Sequence, residues 1–212
     1  MSIDTRGDRV LEVWPIAVAK GKQVEETRRI VELMQADLTL LPGFQSATLL
    51  ASGDGSALVL VASWQDESAA DDGDEQLSEW LRVEGDTAER RRRDGTLTAR
   101  VRVRRTVGTP PVLGDASMLQ FTRYALKPGH SFGALATLTD SNLAMRVLHD
   151  TAAQGGALMA ATDSGALYML LQARNATALD PSLPVGGSMP FWGPFARREE
   201  QLLAVVATVH RR

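Results

Sequence analysis

The chain has 212 residues, of which 44% are hydrophobic and 23% charged, and it carries a net charge of −3. These ordinary values exclude a disordered or fibrous protein and give no global pull toward nucleic acid or an anionic membrane. There is no cysteine, which excludes disulfides, thiolate nucleophiles and cysteine-ligated metals together.

The three histidines, His130, His149 and His210, show no metal-ligand spacing, so no metal site is expected. MSIDTRGDRV lacks the apolar core of a signal peptide, and no apolar run approaches ~18 residues. The expectation is a cytoplasmic protein without a membrane or nucleic-acid partner. The one basic run, Arg90 to Arg93, is flanked by Glu89 and Asp94 and reads as a solvated turn.

In chain order, Val10 to Ala19 reads as a strand with Pro15 at an edge or bulge. Val24, Val31, Met34, Leu38 and Leu41 then fall at helical spacings, with Glu25/Arg29 and Arg28/Glu32 as i,i+4 pairs, and Pro42-Gly43 stops that helix. Phe44 to Ser52 reads as a strand. Asp54-Gly55 supplies a two-residue hairpin turn, and Ala57 to Trp64 is an apolar run covered on both faces. A helix is expected around Glu75 to Val83, with the acidic stretch before it as a solvated face or loop. Leu97 to Val107 alternates Val101 and Val103 with arginines, which suggests a strand with one wet face.

The order strand, helix, strand, strand, helix, strand is that of a split βαβ, ferredoxin-like unit. After a linker at 109–117 the same order starts again. LLASGDGSALVLVA from Leu49 lies over LMAATDSGALYMLL from Leu158, IAVAKGK from Ile16 over YALKPGH from Tyr124, and LTARVRVRR from Leu97 over LAVVATVHR from Leu203. The fold class expected is α+β: two tandem ferredoxin-like units, 1–108 and 118–212, packing sheet to sheet as an α/β barrel within one chain. The first helix of the second unit falls between Ser131 and Ala153. Its second helix is replaced by a segment, 175–198, whose four prolines and three glycines forbid a long helix. Phe191, Trp192 and Phe195 argue for a packed lid over a floppy segment, because exposed aromatics are costly; ordinary packing of Phe191 and Trp192 is the alternative.

Sheets packed in this way leave a hollow lined by Ala57 to Ala62 and Ala166 to Leu171, suited to a flat aromatic or lipid-like ligand and unsuited to a phosphorylated one. The spacing LPGFxSATLLxSxDGSxxVLVASW, preceded by a helix and followed by a strand, resembles the antibiotic-biosynthesis monooxygenase family of dimeric α/β barrels. The strong match covers about residues 10–105, with the second half as a diverged copy. Tandem relatives of this length look like oxygenases that open a ring of angucycline-type polyketides.

The resemblance implies oxidation of an aromatic polyketide by O2 without metal or bound flavin, anthrone to quinone being the typical case, with reduced flavin or a quinol from a partner reductase as a further option. It also exposes departures. Anthrone-oxidising members place an asparagine four residues before the tryptophan that closes the third strand, and here that residue is Leu60; the duplicated positions are Met169 and Ala173. Haem-degrading members add an asparagine on the first strand and a histidine on the following helix, neither of which is evident.

The candidate catalytic residues are His130, a base titrating near neutrality at a strand end, and Arg174, able to stabilise an enolate. The candidate substrate contacts are Trp64, Leu60, Tyr124, Tyr168, Gln172, Phe191 and Trp192. The expected function is hydroxylation or oxidative cleavage of a ring of a polycyclic phenolic substrate; the alternative is a non-catalytic or cyclase-like polyketide-binding protein. A monomer or a homodimer is compatible with a barrel that closes within one chain.

Overall fold

The structure, a computed structural model, describes residues 3, 10–81, 99–114, 118–149, 153–162, 165–173 and 195–211. It is α+β, and its chain divides into two compact units: Asp8–Arg100 with Val206–Arg212, and Val101–Val205 with Met1–Gly7. Strands β4 (Ala99–Gly108) and β8 (Ala196–His210) each contribute residues to both units.

In the unit built on Asp8–Arg100, β1 (Val10–Ala17), β2 (Phe44–Ser52) and β3 (Ala57–Trp64) form an antiparallel sheet in the order β1-β3-β2. The register is continuous along β1, from Val10 opposite Trp64 to Ala17 opposite Ala57. Alternation along these strands assigns the faces. Val10, Trp14, Ile16, Leu49, Leu58, Leu60, Ala62 and Trp64 join one buried cluster with Ile30 and Met34 of helix α1 (Gln23–Ala36) and Leu77 of helix α2 (Glu67–Trp80). Each fully buried side chain of this size contributes about 2 kcal/mol of transfer free energy. The other face carries Leu11, Val13, Leu50, Val59 and Val61, all buried as well, which is why β3 reads as an unbroken apolar run.

The helical expectations hold in kind and shift in extent. Helix α1 ends at Ala36 and a 3-10 turn, Leu38–Leu40, leads into Pro42-Gly43. Val24, placed on the apolar stripe by its spacing, is 75% exposed, because Ile30 and Met34 set the buried face and the first turn projects past the sheet. Helix α2 starts eight residues before the expected Glu75 and takes in the acidic stretch. Asp66 makes this possible: its carboxylate accepts the Ala69 N–H at 2.9 Å, satisfying an orphan donor of the first turn. Asp66→Ala is expected to cost about 1 kcal/mol, visible as a lower urea midpoint with an unchanged slope.

The hairpin loop has four residues, Gly53 to Ser56, rather than two. The Ser52 hydroxyl ends the ladder in place of a main-chain pair, accepting the Ala57 N–H at 2.9 Å, with its Oγ 3.0 Å from the Ala57 carbonyl. Gly55, at φ 78°, supplies the left-handed residue that turns the chain. Hydrogen bonds from the Ser52 hydroxyl, then from the Ser56 N–H and hydroxyl, pull Asp54 down to about 2.

In the other unit, β5 (Met118–Leu126), β6 (Ala153–Ala161) and β7 (Ala166–Ala173) join β8 and β4 in the order β8-β5-β7-β6-β4. Helix α3 (Phe132–His149) packs Leu135 and Leu143 against Tyr124, Leu158, Leu167, Met169 and Leu171. Within its threonine-rich middle, Thr137 and Ser141 donate back to the carbonyls of Gly133 and Thr137, each at 3.0 Å, so their hydroxyls are satisfied inside the helix. Of the segment expected to form a lid, 175–194 lies outside the described residues, and Ala196 to Arg198 already belong to β8. The backbone of Val112, in the linker, is clamped by Gln172, whose amide accepts the Val112 N–H at 2.9 Å and donates to its carbonyl at 3.2 Å. Among the described residues no helix is long and apolar enough to cross a membrane.

Candidate functional site

The sequence VLEVWPIA puts Glu12 on the same face of β1 as Val10, Trp14 and Ile16, so an acid stands among core residues. It is fully buried. A carboxylate there needs partners, and the structure supplies two. The Trp64 indole N–H donates to Oε2 at 2.8 Å, and the Arg100 Nε donates to Oε1 at 3.1 Å. Arg100 also reaches Asp71 on α2, so one guanidinium joins the buried acid to an acid that is 66% exposed.

The electrostatics of Glu12 are dominated by burial, which raises its carboxyl above the usual carboxylate range. The Arg100 bond opposes this, Asp74 adds to the rise, and the Trp64 bond again opposes it. The net result is a carboxyl that holds its proton more tightly than a solvated glutamate. Such a group, touching a tryptophan and a half-buried arginine, can exchange a proton with a phenol or enol that reaches it.

Trp64 is held on every side. Phe44 meets it edge to face at 5.7 Å between ring centroids, and α2 crosses it at Gly73, where an added Cβ would stand 2.2 Å from the ring. Leu60 lies on the same face, also fully buried, in the cluster that contains Trp64. His130 is exposed, follows the β5 strand and sets its ring edge-on to Phe195 at 5.3 Å. Tyr124 is buried beneath α3; burial raises its phenol to about 12, against the opposing pull of Arg198 and Arg146. Tyr168 points to the opposite face of its sheet and packs against Phe121 at 5.6 Å. Gln172 is the Val112 clamp. Arg174, Phe191 and Trp192 lie outside the described residues.

The structure therefore brings Trp64 and Leu60 together, sets Tyr124 and Tyr168 on opposite faces of one sheet, and leaves His130 at the surface. Sequence reasoning missed Glu12, Arg100 and Asp71. The signal for Glu12 was present as a lone carboxylate at an apolar position of an alternating strand. Arg100 was masked by the arginines around it, since Arg100, Arg102 and Arg104 read alike. Among the described residues no group of three His, Asp or Glu side chains is placed to hold a metal ion.

No protein-family model matches the sequence, and no curated protein matches it. Solved structures do. An anthrone oxidase-like protein superposes with a TM-score of 0.68 at 13% identity, over 100% of this chain and 96% of that one. A presumed monooxygenase from Fusobacterium nucleatum gives 0.59 at 10% identity over 97% and 96%. Another from Lactobacillus acidophilus gives 0.55 at 10% identity over 96% and 97%. The chain shares the fold of anthrone oxidase-like and monooxygenase-like proteins along its whole length, and at these identities the likeness is one of fold.

Proposed function

We propose that the protein is an oxygenase of aromatic polyketides, in which Glu12 handles the proton of a polycyclic phenol or anthrone that O2 then oxidises. The observation that carries this reading is the contact between Glu12 and Trp64: a buried, proton-retaining carboxyl bonded to the tryptophan that the sequence resemblance singled out. The full-length likeness to an anthrone oxidase-like protein supports it.

In this reading Glu12, once ionised, takes the acidic C–H or O–H proton of the substrate, and Arg100 stabilises the oxygen on which the negative charge settles. The resulting carbanion reduces O2 and combines with it to give a hydroperoxide. Loss of water from the hydroperoxide yields the quinone, so that anthrone and O2 become anthraquinone and water with no external reductant. A hydroxylation or a ring cleavage requires two more electrons, which a reduced flavin or quinol from a partner reductase would supply. Access is from the Arg100 side, where that side chain is 25% exposed.

One observation favours the second reading, a polyketide-binding protein without turnover: Leu60 offers no hydrogen bond at the position where anthrone-oxidising members carry an asparagine. Oxygen consumption with anthrone and with 1,8-dihydroxyanthraquinol, with and without reduced flavin, separates the two. The oxygenase reading expects uptake above the uncatalysed rate with at least one of them, and no uptake under any of these conditions contradicts it.

A further inference from the structure

Arg100 holds two acids that stand in different surroundings. Its Nε donates to the fully buried Glu12 at 3.1 Å, and its Nη1 donates to Asp71 on α2, an acid that is 66% exposed. The Arg100 side chain, 25% exposed, bridges the interior and the surface. Helix α2 is brought this close by Gly73, where a Cβ would overlap the Trp64 ring. Asp71 precedes that glycine on the same helix.

The two contacts are unequal. A guanidinium donating to an ionised carboxylate normally stands about 2.7–2.9 Å from it. The Glu12 contact is longer than that, and the Asp71 contact is the closer of the two. From the elements packed against it, Glu12 meets Arg100 of β4, Asp74 of α2 and the Trp64 N–H of β3, while α1 contributes the apolar Ile30 and Met34. Arg100 and Trp64 favour the carboxylate; burial and Asp74 favour the protonated acid, and burial leads. Asp71 is bonded to Arg100, and no hydrogen bond joins it to Glu12 among the described residues. Its influence on the buried acid therefore runs through the guanidinium.

We infer that Asp71 is a positioning residue for the Glu12 site: by holding the Arg100 guanidinium toward the surface it keeps that charge from closing on Glu12, so that the buried acid can take and return a proton. A guanidinium released from Asp71 would settle on Glu12, fix it as a carboxylate and make it a weaker base. The inference rests on the reading of Glu12 as the proton-handling group and adds the residue that regulates it.

The test follows Glu12 without any substrate. When the four tryptophans are replaced by 5-fluorotryptophan, each gives a fluorine resonance. The Trp64 line, identified by its loss in Trp64→Phe, reports the charge on its hydrogen-bond partner, and Glu12→Gln should abolish its titration with pH. Asp71→Asn is expected to move that titration to lower pH, and Arg100→Gln to move it to higher pH. Adding Asp71→Asn to Arg100→Gln should change nothing further, since the group through which Asp71 acts is gone. Asp72→Asn, which removes a charge from the next exposed position of the same helix, is the control and should move the line little. Arg100→Met serves if Arg100→Gln does not fold. A Trp64 line that does not titrate in the wild type, or a titration that Asp71→Asn leaves in place or raises, overturns the inference. An equal downward move with and without Arg100 also overturns it, because the effect is then one of direct charge. A downward move that needs Arg100, found together with no oxygen uptake on any substrate tried, sustains the role of Asp71 and sinks the oxygenase reading, so the two failures are distinct.

Discussion

Replacing Glu12 with alanine is expected to lower the free energy of unfolding by about 2–3 kcal/mol, mainly through the Trp64 N–H left buried without an acceptor. Two further effects compete. Loss of the side chain opens a small cavity, which adds to the cost. Removing a buried carboxylate relieves its desolvation, which subtracts from it. Arg100, partly exposed and still paired with Asp71, can rehydrate and adds little. The balance stays destabilising because the indole has no second partner to turn to within a face packed by Phe44 and α2.

Glu12→Gln keeps the volume and an acceptor for Trp64, so its effect is smaller and depends on pH. The folded protein holds the Glu12 proton above the unfolded value of 4.5, so the native state binds more protons than the unfolded chain as pH rises past that point. The wild-type stability contributed by this group is therefore fully present below 4.5 and falls as pH climbs through the folded value. Urea unfolding of both proteins from pH 4 upward should show the wild type losing ground to Glu12→Gln with rising pH. A difference that moves the other way would mean that Glu12 is ionised and net stabilised by Arg100.

Gly73→Ala is the second large effect expected, at about 2 kcal/mol of destabilisation. Alanine in a helix interior normally gains about 1 kcal/mol over glycine. Here the added Cβ would meet three atoms of the Trp64 ring at 2.2 to 2.8 Å, and a ring boxed in by Phe44 cannot retreat without breaking its bond to Glu12. Overpacking of this kind costs roughly 1–3 kcal/mol by itself, and the lost hydrogen bond adds to it. Gly133→Ala in α3 is the control, because the nearest atom to its added Cβ is the Ser131 Oγ at 3.6 Å. It should be neutral or mildly stabilising when both variants are followed by thermal unfolding.

Much of the architecture was legible in the sequence because each strand announces its face. Ala57 to Trp64 is apolar throughout and is buried on both faces, and the Pro42-Gly43 stop falls where the chain turns into β2. The failures have local causes. The acidic first half of helix α2 looks like loop in the sequence until Asp66 is recognised as a cap, and Asp54-Gly55 alone suggests a loop two residues shorter than the one that the Ser52 hydroxyl closes. The site was less legible. Trp64 was found through a resemblance, whereas its partner Glu12 is a single acid in an apolar strand, and what it bonds depends on Arg100, 88 residues away in sequence.

The most direct test of the proposed chemistry is the rate of oxygen consumption with anthrone in folded wild type, Glu12→Gln and Trp64→Phe. The account predicts that Glu12→Gln loses at least about a hundredfold in kcat, the usual scale for a general base, while Trp64→Phe, which retains the acid but not its donor, loses less and shifts the pH profile. Oxidation of anthrone at the wild-type rate by folded Glu12→Gln would contradict it.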